Sequence, residues 1–220
     1  MLGVDAAGKH GWVGILLDRQ GYVAAHLGTL PEVIRWGEPV TTIAVDIPIG
    51  NVPGGGRRAD VDARRFVGPR SPSVFTTPPL EIVEAVVYAQ ANETLAAMGA
   101  AKVSRQAWSL VPKMAEAAMV AATDPRVFEV HPEVSFRELA GEHLAWSKKS
   151  WNGLLLRRRL LGSAGIVLPD VIPDLEDVVS DDVVDAAAAA WSALRIAAGT
   201  KRSFPDPPEE VDGRQVAIWC

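Results

Sequence analysis

The chain has 220 residues, with 48% hydrophobic and 22% charged residues, so it has the material for an ordinary globular core and is not a disordered chain. Its net charge of −5 and isoelectric point near 5.4 exclude a generally basic nucleic-acid coat protein, but leave room for one local basic patch. The single cysteine, Cys220, excludes an internal disulfide and a cysteine-rich zinc site. The N-terminus lacks a basic region followed by an apolar run, and no apolar stretch reaches the roughly 18 residues of a membrane span. The composition points to a soluble, cytoplasmic protein with no membrane partner.

Three β-prone runs open the chain at residues 2–5, 11–17 and 22–30. They are separated by glycine-containing turns and predict an antiparallel meander. Residues 31–37 have room for two helical turns, with Pro31 suited to the first. Residues 41–45 (TTIAV) form a β-branched run of the kind expected in a buried parallel strand, ending at Asp46. Residues 51–79 are rich in Gly, Pro and Arg and predict a loop with a short helix near 60–66. Apolar residues at three- and four-residue spacing predict helices over 80–98 and 104–122. A short strand follows at 127–130, then helices at 134–141, 151–162 and 181–198. Ser180 is the expected N-cap of the last helix and Gly199 its stop. The proline-rich tail from 201 ends in a strand at 215–219.

This order predicts an α/β domain over residues 1–220. Its mixed five-stranded sheet has three antiparallel strands, then parallel additions, and is flanked by helices. A mostly helical insertion, 51–123, separates strands four and five.

Carboxylates stand where the strands end. Asp5 closes the first strand, Asp46 the fourth, and Glu129 lies in the fifth with Glu133 just beyond. The carboxyl ends of neighbouring strands converge on one rim, the usual ligand crevice of an α/β sheet. Acids embedded in apolar runs are costly to bury without partners, and a divalent cation is one such partner. Asp182 and Asp185 lie three apart and share a helix face. Asp185 precedes AAAAAW, a small-residue face suited to close packing on the sheet, which brings it near the strand-end acids. Oxygen donors without cysteine favour Mg2+ or Mn2+, and a pair of such ions activates water in phosphodiester hydrolysis.

Six blocks carry a family resemblance: GVDAAGKHGWVG from Gly3, VDIPIG from Val45, DVDARRFVGPRSPSVFTTPP from Asp60, FEVHPEVSF from Phe128, SKKSWNGLLLRRRLL from Ser147 and DDVVDAAAAAWSA from Asp181. Together they resemble domain-of-unknown-function family 429, described as predicted nucleases of the RNase H-like superfamily. The resemblance implies an RNase H-like fold with an acid on the first strand, one on the fourth and one or two on a late helix. Asp5, Asp46, Asp182 and Asp185 match those positions as metal ligands, and Glu129 is added to Asp5, Asp46 and Asp185 as a catalytic acid. The long helical insertion and the HPE block ending at Glu133 depart from the RNase H layout.

Arginines crowd residues 57–70. Arg64, Arg70 and Ser71 are candidates for holding a phosphate-bearing substrate, as are His131, Glu133 and Lys148. Arg57 and Arg58 read as solvated loop residues, and Arg157–Arg159 as a charged surface run. The tryptophans read as core or interface residues. The leading expectation is a metal-dependent nuclease or phosphodiesterase acting on a nucleic acid or nucleotide, with a homodimer compatible. The alternatives are a nucleotide-binding or phosphoryl-transfer protein of actin-like type, since Asp5–Lys9 resembles that strand–Asp–Gly turn, and a non-catalytic binding protein on the same fold.

Overall fold

The computed structural model describes residues 1–83, 85–211 and 213–220. The meander forms as expected, from β1 (Leu2–Ala6), β2 (Trp12–Asp18) and β3 (Gly21–Gly28). Helix α1 (Leu30–Trp36) follows, started by a capping box: the Thr29 side chain serves the third helical residue, and Glu32 reaches back to the Thr29 N–H. Strand β4 (Ile43–Asp46) then pairs parallel to β1, and β5 (Val127–Glu129) pairs parallel to β4. The order across the sheet is β3-β2-β1-β4-β5, mixed as predicted.

Helices cover both faces. Strand residues alternate between them, so Leu2, Val4, Ile43 and Val45 pack against α1 and α4 (Arg105–Thr123) through residues such as Val33, Met114 and Ala117. The 51–123 segment is therefore mostly helical but not an appendage, because α4 supplies one cover of the sheet. Its N-cap is Ser104, whose side chain accepts from the Ala107 N–H. The opposite face lies under α5 (Pro132–Ala140), α6 (Trp151–Ser163) and α7 (Ser180–Ala197). Val179, not Ser180, is the N-cap residue of α7, and Ser180 is already helical. Gly199, at φ 73°, ends the helix as expected.

Two other expectations are corrected. The 80–98 helix is a 3-10 turn at Leu80–Ile82 and a separate helix α3 (Tyr88–Ala97), with Glu84 outside the described residues. The proline-rich tail forms strand β6 (Ser203–Val211), paired antiparallel with β7 (Arg214–Trp219) in a second, two-stranded sheet. Three prolines concealed it, since proline removes ladder donors and marks edge strands. This hairpin packs on α2 (Arg58–Val67) through Ala59, Ala63, Phe204 and Ile218. Among the described residues no helix is long and apolar enough to cross a membrane.

Helix α7 lies unusually close to the centre of the sheet. A Cβ on Gly3 would stand 2.0 Å from the Ala190 nitrogen and 2.2 Å from the Ala186 carbonyl oxygen. The alanine face of α7 and the missing side chain at Gly3 thus form one device, which sets the height of Asp185 above β1. Gly3→Ala is expected to cost about 3 kcal/mol or to prevent folding, because backbone rather than a flexible side chain blocks the added methyl. Gly162→Ala in α6, where nothing lies within 4 Å, should be neutral or stabilising by up to about 1 kcal/mol. Denaturant melts of both variants check the contrast.

Candidate functional site

Parallel pairing places Asp5 directly beside Asp46. Both side chains fall on the α7 face of the sheet, where Asp185 meets them. One carboxylate oxygen from each of Asp5, Asp46 and Asp185 lies within 4.8 Å of the others. Asp5 and Asp185 are buried, and Asp46 is partly so. The triad forms the floor of a cleft of about 670 Å3.

Burial is the main cause of the electrostatics here. It pushes the Asp5 carboxyl well above the ordinary carboxylate range, and the charges of Asp46 and Asp185 add to the shift. Asp46 is pushed up to about 7 by burial, with Lys148 and a hydrogen bond from Asp5 opposing. Asp185 likewise rises to about 7, again against Lys148. Asp182, on the cleft wall, rises to about 6 through burial and its neighbour Asp181.

Lys148 is the counter-charge. Its Nζ donates to Asp185 Oδ2 and lies 3.7 Å from Asp181 Oδ2, so it straddles two carboxylates one helical turn apart. Burial opposes its charge, but Asp185 and Asp46 outweigh that and raise its pKa. The other Asp185 oxygen, Oδ1, is buried with no hydrogen-bond partner. An orphaned carboxylate oxygen among three hard donors fits a hard divalent cation held by Asp5, Asp46 and Asp185.

The loop carrying Lys148 is itself fixed. Ser150 caps α6 by accepting from the Gly153 N–H, and its hydroxyl donates to the Ser147 carbonyl. Gly153 has to be glycine, since a Cβ there would stand 1.8 Å from the Ser147 oxygen. Arg157 is wholly buried. It donates to both Glu133 oxygens at 2.6 and 2.8 Å and to the Trp146 carbonyl at 3.1 Å. Glu133 lines the cleft, and its pairing with Arg157 makes it an anchor for this loop. Arg157 is no part of a surface charge run.

Glu129 lines the same cleft but does not converge with the three aspartates. It aligns with Val45, one residue short of the Asp46 level, so it projects to the face opposite Asp5 and Asp46. Its carboxylate is occupied by Arg57 at 2.5 and 2.9 Å and by the Ile49 N–H at 2.6 Å. Arg57 is 1% exposed, which overturns its reading as a solvated loop residue. It also binds Asp60, which holds the Thr77 N–H and hydroxyl. Arg58 alone is exposed as expected.

The remaining candidates divide. Arg70 lines the cleft, with its Nε buried and unpartnered. Arg64 instead ties down its own loop, through the Val74 carbonyl at 2.7 Å and the Thr76 hydroxyl at 2.9 Å. Ser71 does not line the cleft, whereas Ser73 does. His131 lines it but is held as the N-cap of α5, where Nδ1 accepts from the Glu133 N–H. Burial lowers its pKa, which favours the neutral ring that this cap requires. Among the tryptophans, Trp12 and Trp191 are buried, whereas Trp146 and Trp151 are exposed. Cleft residues that the sequence did not single out are Ser104 and Gln106, brought in by the start of α4. Their only signal was the Ser104 cap.

A family model described as "Protein of unknown function (DUF429)" matches residues 3–210. The chain belongs to this family. No curated protein and no solved structure matches it. The DUF429 match spans every element from β1 to β6 and includes all three acids of the triad.

Two outcomes follow for this DUF429 chain. Asp46 and Asp185 bind protons more tightly folded than unfolded, so their protonation stabilises the native state below the ordinary carboxyl value of 3.8, and that contribution is lost as pH rises through about 7. Without divalent ions, Tm should fall between pH 5 and pH 8 by several degrees, at about 2–4 °C per kcal/mol. Asp46→Asn should flatten that fall in a scanning-calorimetry pH series. In the second site, Arg57→Ala leaves Glu129 and Asp60 buried and unpaired and should cost about 3–5 kcal/mol. Arg58→Ala should stay within about 0.5 kcal/mol, as urea melts would show.

Proposed function

We propose that this protein is a metal-dependent phosphodiesterase that hydrolyses a phosphodiester of a nucleic acid or nucleotide. The carrying observation is the convergence of Asp5, Asp46 and Asp185 within 4.8 Å at the floor of a cleft. Their placement, at the ends of the first and fourth strands and on the last long helix, supports the resemblance to RNase H-like nucleases. So does the β3-β2-β1-β4-β5 order, with its antiparallel meander and parallel additions.

Asp5, Asp46 and Asp185 would hold Mg2+ or Mn2+, and Asp182 stands on the adjoining wall. The cation, when bound, supplies an activated water and positive charge for the leaving oxygen. The chain's residues prepare for it. Three ionised carboxylates against the Lys148 ammonium leave two formal negative charges, the complement of a divalent ion. A cation held there would compete with protons on Asp46 and Asp185, so its affinity would rise as pH passes about 7. Lys148, anchored through Ser150, Gly153 and Arg157, keeps a positive charge beside the reacting phosphate.

The test is cleavage with Mg2+ or Mn2+ across single- and double-stranded DNA, RNA, RNA–DNA hybrid, a four-way junction and dinucleotides. Wild-type protein should cleave at least one substrate. Asp5→Asn and Asp185→Asn should each reduce the rate by at least about 100-fold, more than loss of an outer-shell partner does. Retention of cleavage in both variants would sink the proposal. So would a wild type that cleaves nothing and gains no Tm from either cation.

A further inference from the structure

Three observations limit what the cleft can hold. The first is its shape. The segment after α2 forms one wall with Arg70, Ser73 and Phe75, the loop before α6 forms another with Lys148 and Lys149, and the start of α4 closes a third with Gln106 and Leu110. The strand-end rim is thereby a bounded cleft, open on one side. At about 670 Å3 it falls within the roughly 300–1,000 Å3 range of small-ligand sites.

The second is charge. Of the cationic side chains lining the cleft, Arg57 is consumed by Glu129 and Asp60. Lys148 is bound to Asp185. Among the described residues, neither Arg70 nor Lys149 forms a salt bridge, although Lys149 lies near enough to Asp182 to act on its charge, and Arg70 Nε, like that of Arg137, Arg157 and Arg195, has no hydrogen-bond partner. Arg70 and Lys149 suit one or two phosphates, with Lys148 already engaged by Asp185. Binding a long backbone non-specifically relies on many more such contacts.

The third is the apolar share of the lining. Phe75 and Leu110 offer a surface suited to a nucleobase, on the same walls that carry Arg70 and Gln106. Phosphate-binding cations and an apolar shelf together match a nucleotide better than a bare phosphate.

We propose that the substrate is nucleotide-sized: a phosphodiester of about one or two nucleotides, or the terminus of a strand, with Arg70 and Lys149 on the phosphate and Phe75 against a base. This rests on the phosphodiesterase reading and narrows its substrate class. Duplex interiors and junctions are excluded as preferred substrates.

Binding is measured by fluorescence polarisation or calorimetry on Asp46→Asn, to suppress turnover, with Mg2+ present. The probes are a dinucleotide in DNA and RNA forms, a 20-nucleotide single strand and a 20-base-pair duplex. The dinucleotide should bind within about tenfold of the single strand. The plot of log affinity against log salt should have a slope no steeper than about −2, as two or three phosphate contacts give. Arg70→Ala should weaken dinucleotide binding about tenfold, with partial recovery in Arg70→Lys. Phe75→Ala should weaken it several-fold and leave the salt slope unchanged. A duplex or long strand bound 100-fold tighter than the dinucleotide, with a slope steeper than about −4, would overturn the size inference but leave the phosphodiesterase reading standing. Absence of binding to every probe by a variant whose thermal melt shows it folded would overturn the size inference. The phosphodiesterase reading falls separately, on wild-type cleavage.

Discussion

Asp5, Asp46 and Asp185 repel one another, and the Lys148 ammonium, bound to Asp185, offsets only part of their charge. Much of the rest of the molecule serves that arrangement. The parallel register of β1 and β4 sets two of the acids side by side. Gly3 and the alanine face of α7 bring the third down onto them. The cap and glycine before α6, together with Arg157, hold the lysine in place. A fold that gathers like charges in a buried spot gives up stability there, and such sites are where proteins accept local cost for function.

Two buried guanidinium groups show the opposite use of charge. Arg57 with Glu129 and Asp60, and Arg157 with Glu133, are each paired with carboxylates, so their charges are spent inside the protein. They tie distant segments together: the α2 loop to β5, and α6 to the start of α5. An acidic chain thus carries several arginines near its cleft while offering few of them to a ligand. Counting basic residues in the sequence overstates the positive field that a substrate would meet.

The sheet was legible because its strands are short apolar runs bounded by glycine and acid, and alternation or β-branching identifies each. The positions of Asp5, Asp46 and Asp185 were legible because strand-end acids and an acid before an alanine stripe obey simple geometry. The β6 strand was not legible, since Pro205, Pro207 and Pro208 contradict local strand propensity and only the partner strand β7 overrides it. Nor was the burial of Arg57 and Arg157. A charge inside a run of charges looks solvated, and although Asp60 stands three residues from Arg57, the partners that bury each arginine across the fold, Glu129 and Glu133, lie 72 and 24 residues away in sequence.

Glu129 shows how little separates a candidate metal ligand from a structural residue. Strands β4 and β5 each end in an acid, and in the sequence the two look equivalent. Register decides otherwise: Val45, not Asp46, is the neighbour of Glu129, and side chains one residue apart on a strand face opposite sides of a sheet. Glu129 is thereby turned away from α7 and toward the chain that leaves β4. There it accepts the Ile49 N–H and holds Arg57, which reaches toward the Ile49 and Gly50 carbonyls. These contacts fix the backbone three and four residues after Asp46. Glu129 therefore acts on the acid cluster from behind, by holding the segment that follows one of its members.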